Sequence, residues 1–226
     1  MPTFGSTRWS IVARAEQDDA LESLCASYWE PVCAFVRSSG VDAEAAKDIT
    51  QTFFVRLVEK GIIGRANPEV GKFRTFLLSI LKHHLADWKK SENCWKRGGR
   101  AVRVPLELNG AEGLASAAES PEQAFDRHWA EALMERAAAR LRHETQASAK
   151  AELFSVLTPF LSEEPQPGNY AQIGDRFGMK GGTIAMAVHR LRHRFGELIR
   201  AEVADTLADA GDIEEEMAAL RAALRG

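Results

Sequence analysis

The chain has 226 residues, of which 45% are hydrophobic and 27% are charged, and its formal net charge is -3. These proportions are ordinary for a folded protein, and no apolar run approaches the roughly 18 residues that suggest a membrane span. The first residues lack the basic-then-apolar order of a secretory signal. The three cysteines are not spaced as metal ligands are, and we expect them to be reduced thiols. We therefore expect a cytoplasmic protein without a metal or a cofactor.

Charge is segregated along the chain into two basic blocks, each followed by an acidic one. Residues 72–103 hold nine Lys or Arg and two acids, and residues 105–135 hold seven acids and one Arg. Residues 176–200 hold six basic residues and one acid, and residues 202–216 hold seven acids and no base. Basic blocks on folded helices are the electrostatic footprint of a polyanionic partner, although solvated helix faces give the same pattern.

The chain is predicted to be all-α, because 3.6-residue periodicity recurs and strand signals are nearly absent. Asp42 is a candidate N-cap, Pro121 suits a first helical turn, and residues 61–71 are predicted to form a loop. A linker is expected over residues 96–123, which hold four glycines and two prolines. The predicted helices cover, approximately, residues 6–17, 20–38, 42–60, 72–92, 121–143, 147–161, 170–177, 182–200 and 213–224.

The stretch "NYAQIGDRFGMKGGTIAMAVHRLRHRF", residues 169–195, has the order of a helix-turn-helix. Gly178 suits a left-handed C-terminal cap, and Gly174 would let the two helices approach closely. The second helix carries a narrow apolar stripe and a basic outer face. Its two histidines are few for a zinc site and its stripe is narrow for a membrane surface, so nucleic acid and a partner helix are the favoured interpretations.

Three motifs in this order resemble the extracytoplasmic-function (group 4) sigma factors of bacterial RNA polymerase: "DAEAAKDITQTFFVRL", "GKFRTFLLSILKHHLADWKK" and the helix-turn-helix stretch. The resemblance covers about residues 20–200, and "STRWSIVARA" and "YWEPVCAFVR" are similar to a subgroup common in planctomycetes. It implies two helical domains joined by an acidic linker. The implied divisions are 1–95 for the N-terminal helices and region 2, 96–123 for the linker, 124–203 for region 4, and 204–226 for an acidic amphipathic extension.

The resemblance implies two binding surfaces in region 2. Asp48, Gln51 and Phe54 match the D-x-x-Q-x-x-F motif, which in the family docks on the β′ clamp helices of core RNA polymerase. The following basic helix is similar to the one that reads the -10 promoter element. The implied -10 DNA-binding residues are Arg74, Lys82, His83, Asp87, Lys89 and Lys90.

Region 4 of the family binds the -35 element as duplex DNA and also contacts the polymerase β-flap. Arg190 is expected to pair with a guanine or a phosphate, whereas Arg192 and Arg194 are expected to grip phosphates. The implied -35 DNA-binding residues are Lys180, Thr183, Met186, Ala187, Arg190, Arg192 and Arg194.

The expected function is that of an alternative sigma factor, which binds core RNA polymerase and directs promoter recognition and transcription initiation. Its expected partners are core polymerase and promoter DNA, with an anti-sigma or other regulatory protein as a further candidate. No catalytic constellation or phosphate-binding loop stands out, so an enzyme is not expected. The alternatives are a helix-turn-helix regulator that acts without core polymerase and a helical adaptor. Two roles are expected for residues 204–226. Their acids shield the recognition helix in the free protein, or their apolar stripe docks on a regulator.

Overall fold

The computed structural model describes residues 18–66, 71–96, 119–146, 148, 150–207 and 212–225. These residues form eight α-helices and two 3-10 helices, Ile63–Arg65 and Thr158–Leu161, and hold no strand, which confirms the all-α class. None of the helices described is long and apolar enough to cross a membrane. The α-helices are α1 (Asp18–Ser38), α2 (Ala43–Glu59), α3 (Phe73–Lys96), α4 (Pro121–Gln146), α5 (Ala151–Leu157), α6 (Asn169–Phe177), α7 (Gly181–Ala204) and α8 (Ile213–Ala223). The predicted helix over 6–17 and most of the linker lie outside the described residues.

The chain divides into two compact units, one made of residues 1–130 with 205–226 and the other of residues 131–204. The division falls within α4, whereas the sequence suggested a limit at 123/124. The first turns of α4 join the first unit because Asp126 and Trp129 both contact Arg74 of α3. Residues 205–226 also join it, and this places α8 in the same unit as α3.

In the first unit, α1 packs against α2 and α3, and α2 packs against α3. Asp42 caps α2 as predicted: its Oδ1 accepts hydrogen bonds from the backbone N–H groups of Glu44 and Ala45 at 3.1 and 3.0 Å. Helix α3 continues to Lys96, one turn beyond its predicted end. The buried side chains of these three helices recur at steps of three and four; among the largest are Leu24, Tyr28, Ile49, Phe53, Leu57, Leu77 and Leu81.

The second unit packs α6 against α7 over a core drawn from α4, α5 and α7. One acid belongs to this interior: the Glu202 side chain is 8% exposed and accepts hydrogen bonds from Arg136 at 2.9 Å and Arg140 at 3.0 Å. A buried carboxylate is tolerated only when it is paired in this way. Glu202 therefore fixes α7 to α4. The core cluster comprises Ala137, Leu141, Leu153, Leu157, Ile184, Val188, Leu191 and Leu198.

Candidate nucleic-acid and partner-binding surfaces

Helix α2 presents an exposed face that includes two residues of the D-x-x-Q-x-x-F motif. Asp48 and Gln51 are exposed, and Val55 and Val58 follow them on the same face at steps of four and three. These valines are 46% and 43% exposed, and large apolar side chains left in solvent side by side mark candidate protein-binding surfaces. Neither valine was predicted to belong to this surface, although both follow Gln51 at helical spacing in the sequence.

Phe54, the third motif residue, lies beneath this face instead of on it. Its side chain is buried, and its ring stacks on that of Trp29 with centroids 5.9 Å apart and planes 16° apart. It also meets Phe53 edge-on at 5.5 Å. Phe54 therefore shapes the α2 surface through packing, and a direct contact with a partner is not available to it in this structure.

At the start of α3, Arg74 is held by carboxylates from two other helices. Its Nε lies 2.6 Å from Oε1 of Glu216 on α8, and its Nη1 lies 2.6 Å from Oδ1 of Asp126 on α4. The guanidinium also lies over the ring of Trp129, 4.6 Å from its centroid. Only 16% of the side chain is exposed, so the guanidinium that was predicted to bind -10 DNA is already paired with carboxylates in this structure.

Lys82 and Lys89 lie on the same side of α3 as Arg74 because they follow it by eight and fifteen residues. The ammonium group of Lys82 is 2.8 Å from Oε1 of Glu122 on α4. That of Lys89 donates a hydrogen bond of 2.9 Å to the carbonyl of Ser39 at the end of α1. Both lysines remain exposed, so these contacts can exchange for phosphate at little cost.

His83, Asp87 and Lys90 share a different, solvent-facing side of α3, because they are spaced by four and three residues. Nδ1 of His83 is 2.7 Å from the carbonyl oxygen of Ser79, and Asp87 is 3.8 Å from Arg56 of α2. All three side chains are exposed. The six residues predicted to bind the -10 element thus fall on two sides of α3, and only one side carries the lysine pair.

The aromatic side chains near this helix contribute mainly to packing. His84 tilts against Phe53 with ring centroids 5.5 Å apart, and burial together with the nearby Arg56 charge lowers its pKa. His84 is therefore a partly buried packing residue. Trp88 is half-buried and borders a small polar cleft with Lys89. Trp95 is outside the residues whose side chains are described.

The turn between α6 and α7 has the predicted helix-turn-helix geometry. Gly178 ends α6 with φ 64°, and the N–H of Met179 donates to the carbonyl of Gly174 at 2.8 Å. A Cβ on Gly174 would collide with the carbonyl oxygen of Met179. A Cβ on Gly181 would lie 3.4 Å from the backbone nitrogen of Ala171. Gly174 therefore permits the close approach that sets the direction of α7, whereas a Cβ on Gly181 would make an ordinary van der Waals contact.

Helix α7 presents most of its predicted DNA-binding residues on one side. Thr183, Ala187, Arg190 and Arg194 border one groove with α4 and α5, since they recur at steps of four, three and four. Met186 is beside them and 57% exposed. Thr183, Arg190 and Arg194 are exposed and Ala187 is half-buried. Lys180, just before the helix, is exposed as well.

Arg194 is on this side, but its guanidinium has acidic partners. Its Nε and Nη2 donate to the two carboxylate oxygens of Glu144 at 2.9 and 2.8 Å, and Nη1 donates to Glu197 at 2.8 Å. The hydrogen bond from Arg194 lowers the pKa of Glu144. Arg190 differs, because it has no ion-pair partner among the residues described. Arg190 is therefore the more available of the two arginines.

Arg192 is an exception, because it follows Thr183 by nine residues and so lies on the opposite side of α7. Its Nε donates to the carbonyl of Phe160 at 2.7 Å, and its Nη2 donates to the carbonyl of Glu163 at 2.9 Å. These carbonyls belong to the second 3-10 helix and the segment after it. In this structure Arg192 therefore holds the end of the 3-10 helix, and its contact with phosphate stays a prediction.

Chemically, the described residues offer cationic and polar side chains on two helices, one in each unit, and an apolar strip on α2. No group of three His, Cys, Asp or Glu that could hold a metal ion occurs in the described part of the chain. The arrangement therefore suits the binding of a polyanion at two places and of a protein at a third. Comparison with protein-family models, curated proteins and solved structures found no match to this chain.

Proposed function

We propose that this protein is an alternative sigma factor of the extracytoplasmic-function type. It binds core RNA polymerase and directs promoter recognition and transcription initiation in the cytoplasm, and it performs no covalent chemistry itself. The observation that carries this proposal is the occurrence of two separate basic helices, α3 and α7, in two different units of one chain. A simple duplex-binding regulator needs only the second.

The second unit supports the reading of duplex DNA. The Gly178 turn presents α7 as a recognition helix, whose N-terminal turns reach base edges in the major groove. Thr183 and Arg190 are exposed on those turns. Arginine can bond guanine at two positions, and this gives sequence preference.

The first unit supports the binding of core polymerase and of the -10 strand. The α2 face of Asp48, Gln51, Val55 and Val58 combines polar and apolar groups, as specific protein interfaces do. Lys82 and Lys89, on one side of α3, are exposed cations that can follow a phosphate backbone. Holding an unpaired -10 strand there drives promoter opening through binding energy.

The experiment is co-purification of the tagged full chain with bacterial core RNA polymerase, followed by run-off transcription from a randomised promoter library. We expect a stable complex and transcripts that start downstream of a shared pair of sequence elements. No complex and no transcript would contradict the proposal. Selective duplex binding with no affinity for core polymerase would favour the alternative, a helix-turn-helix regulator that acts alone.

A further inference from the structure

We propose that Lys72 and Arg74 form a phosphate-binding site for the nucleic-acid strand, and that α8 occupies this site in the free protein as an internal mimic of the strand. This inference rests on the proposed function, since it names what the start of α3 binds and what competes there. It concerns the first unit alone, to which α3 and α8 both belong.

The contact between α8 and α3 is a two-pronged ion pair. Nε of Arg74 donates to one carboxylate oxygen of Glu216 at 2.6 Å, and Nη2 of Arg74 donates to the other at 3.2 Å. Lys72 lies 2.7 Å from Glu216 and 2.8 Å from Glu215. The planar fork of arginine binds carboxylate and phosphate with the same geometry. The donors that hold α8 are therefore the donors a phosphate would use.

Glu216 depends on the two cations for its burial, whereas Arg74 has partners other than Glu216. Glu216 is 1% exposed, and burial of its charge depends on Lys72 and Arg74. Arg74 has further partners, because Asp126 accepts from Nη1 and the Trp129 ring lies beneath its guanidinium. If α8 leaves, Arg74 is still held in place and presents its Nε edge. The cationic site thus survives the departure of its internal ligand.

Helix α8 is also a small element that can undock. It spans 11 residues, fewer than the 12 to 15 or so that a helix needs for marginal stability in water. Only Glu216 and Leu220 are buried along it, while the neighbouring ion-pair member Glu215 is 75% exposed. Elements with few buried apolar contacts open at lower free energy than the rest of a fold.

Attachment to the chain explains why such a weak element can still compete. Residues 205–212 connect the end of α7 to α8, so α8 acts at the high effective concentration of a tethered ligand. A nucleic-acid strand must displace it. The apparent dissociation constant is then the intrinsic one divided by the fraction of chains in which α8 has left the site.

The test measures the binding of a fluorescent single-stranded oligonucleotide to the full chain across a salt series. The variant carries Glu215→Gln and Glu216→Gln, and the matched control carries Glu30→Gln and Glu59→Gln, two exposed acids on α1 and α2 with the same change in net charge. We expect about tenfold tighter binding for the first variant. The slope of log affinity against log salt concentration should be steeper by about 1.4, because Lys72 and Arg74 are both free to bind phosphates. We expect a much smaller change for the control.

Three results would overturn the inference: unchanged affinity and slope, an equal gain in the control, or weaker binding than the parent chain. Adding Lys72→Ala to the Glu215/Glu216 variant should remove part of the gain, and an undiminished gain also contradicts it. If circular dichroism shows that the double variant is unfolded, the single variant Glu215→Gln replaces it in the binding assay. Glu215 is exposed, so this variant should fold, and a smaller gain in affinity is still expected. Core polymerase is absent from this assay, so its failure is distinct from that of the proposed function.

Discussion

Arg192 donates hydrogen bonds to the carbonyls of Phe160 and Glu163 at 2.7 and 2.9 Å, and thereby joins α7 to the end of the second 3-10 helix. The basic character of a helix does not by itself show which of its arginines are available to a ligand. In α7, position along the helix separates the stabilising arginine from those that border the groove.

Arg192→Ala should therefore lower the stability of the second unit and leave its DNA contacts intact. Loss of two hydrogen bonds from an exposed charged group is expected to cost about 1 kcal/mol. Urea unfolding measures this cost, and duplex binding across a salt series measures the number of phosphate contacts. An unchanged unfolding free energy, or a salt slope reduced by about 1, would mean that Arg192 contacts phosphate after all.

Arg190→Ala should behave in the opposite way, with little effect on stability and a clear effect on specificity. Its side chain is exposed in the third turn of α7, so its removal is expected to weaken binding to the cognate -35 duplex by about 1 to 3 kcal/mol and to relax preference at one or two base pairs. Competition binding with single-base variants of the duplex measures both effects. Equal weakening on all duplexes would reassign Arg190 to the phosphate backbone.

Glu144→Gln should strengthen duplex binding at all sequences to a similar extent. Glu144 holds Arg194 through two hydrogen bonds, and a neutral amide would leave the guanidinium freer to meet a phosphate. Arg194→Ala should weaken binding equally at all sequences. In the same competition assay, the affinities of the two variants should shift in opposite directions and by the same amount at every sequence. If neither affinity shifts, Arg194 does not belong to the DNA interface.

Val55→Ser combined with Val58→Ser should reduce capture of core RNA polymerase without loss of stability. Both valines are exposed, so the folded chain loses little when they become polar, whereas a partner loses its apolar contact. Phe54→Ala is the contrasting change, because it empties a buried site and should cost about 3 to 5 kcal/mol. Pull-down with core polymerase and urea unfolding separate the effects; full capture by the valine variant would place the interface elsewhere.

Helix positions and the helix-turn-helix were predictable because both depend on local signals. Apolar residues spaced three and four apart gave the helices, Asp42 gave a cap, and Gly178 gave a left-handed turn. The side of α7 on which Arg192 lies was also predictable, since Arg192 follows Thr183 by nine residues, which is two and a half helical turns. The carbonyl partners of Arg192 were not predictable, because Phe160 and Glu163 are about thirty positions away in the chain.

The ion pairs of the candidate site could not be predicted in this way, because they join residues far apart in the chain. Arg74 and Glu216 are 142 positions apart, and no periodicity relates them. The same holds for Glu202 and Arg136, 66 positions apart. In the acidic tail, Glu215 and Glu216 contact Lys72 and Arg74, a pairing that was not foreseen. Shielding of the recognition helix and docking on a regulator stay predictions.

Acidification should weaken the first unit through Glu216. Burial opposes its charge, but hydrogen bonds from Arg74 and Lys72 outweigh burial, and its pKa lies below the ordinary 4.5. A lowered folded-state pKa contributes stability that is present above pH 4.5 and is lost as pH falls through the folded value. Asp126 and Glu215 are the other acids beside these cations.

Urea unfolding of the parent chain and of Glu216→Gln at several pH values isolates this contribution. The difference in unfolding free energy should be constant from pH 7 to about pH 5 and should shrink below pH 4.5. A difference that does not depend on pH would show that the charge of Glu216 adds nothing to the stability of the folded unit.

Gly174→Ala should destabilise the second unit, because its new Cβ would meet the carbonyl oxygen of Met179, a backbone atom that cannot move alone. Strain of this kind is expected to cost roughly 1 to 3 kcal/mol and, by displacing α7, to weaken duplex binding. Gly196→Ala is the matched control: it lies within α7 with open space around its Cβ position. There alanine should add roughly 0.5 to 1 kcal/mol, since glycine loses more backbone freedom in a helix. Thermal unfolding should shift in opposite directions for the two variants, and a shift of both in one direction would contradict the close approach of α6 and α7.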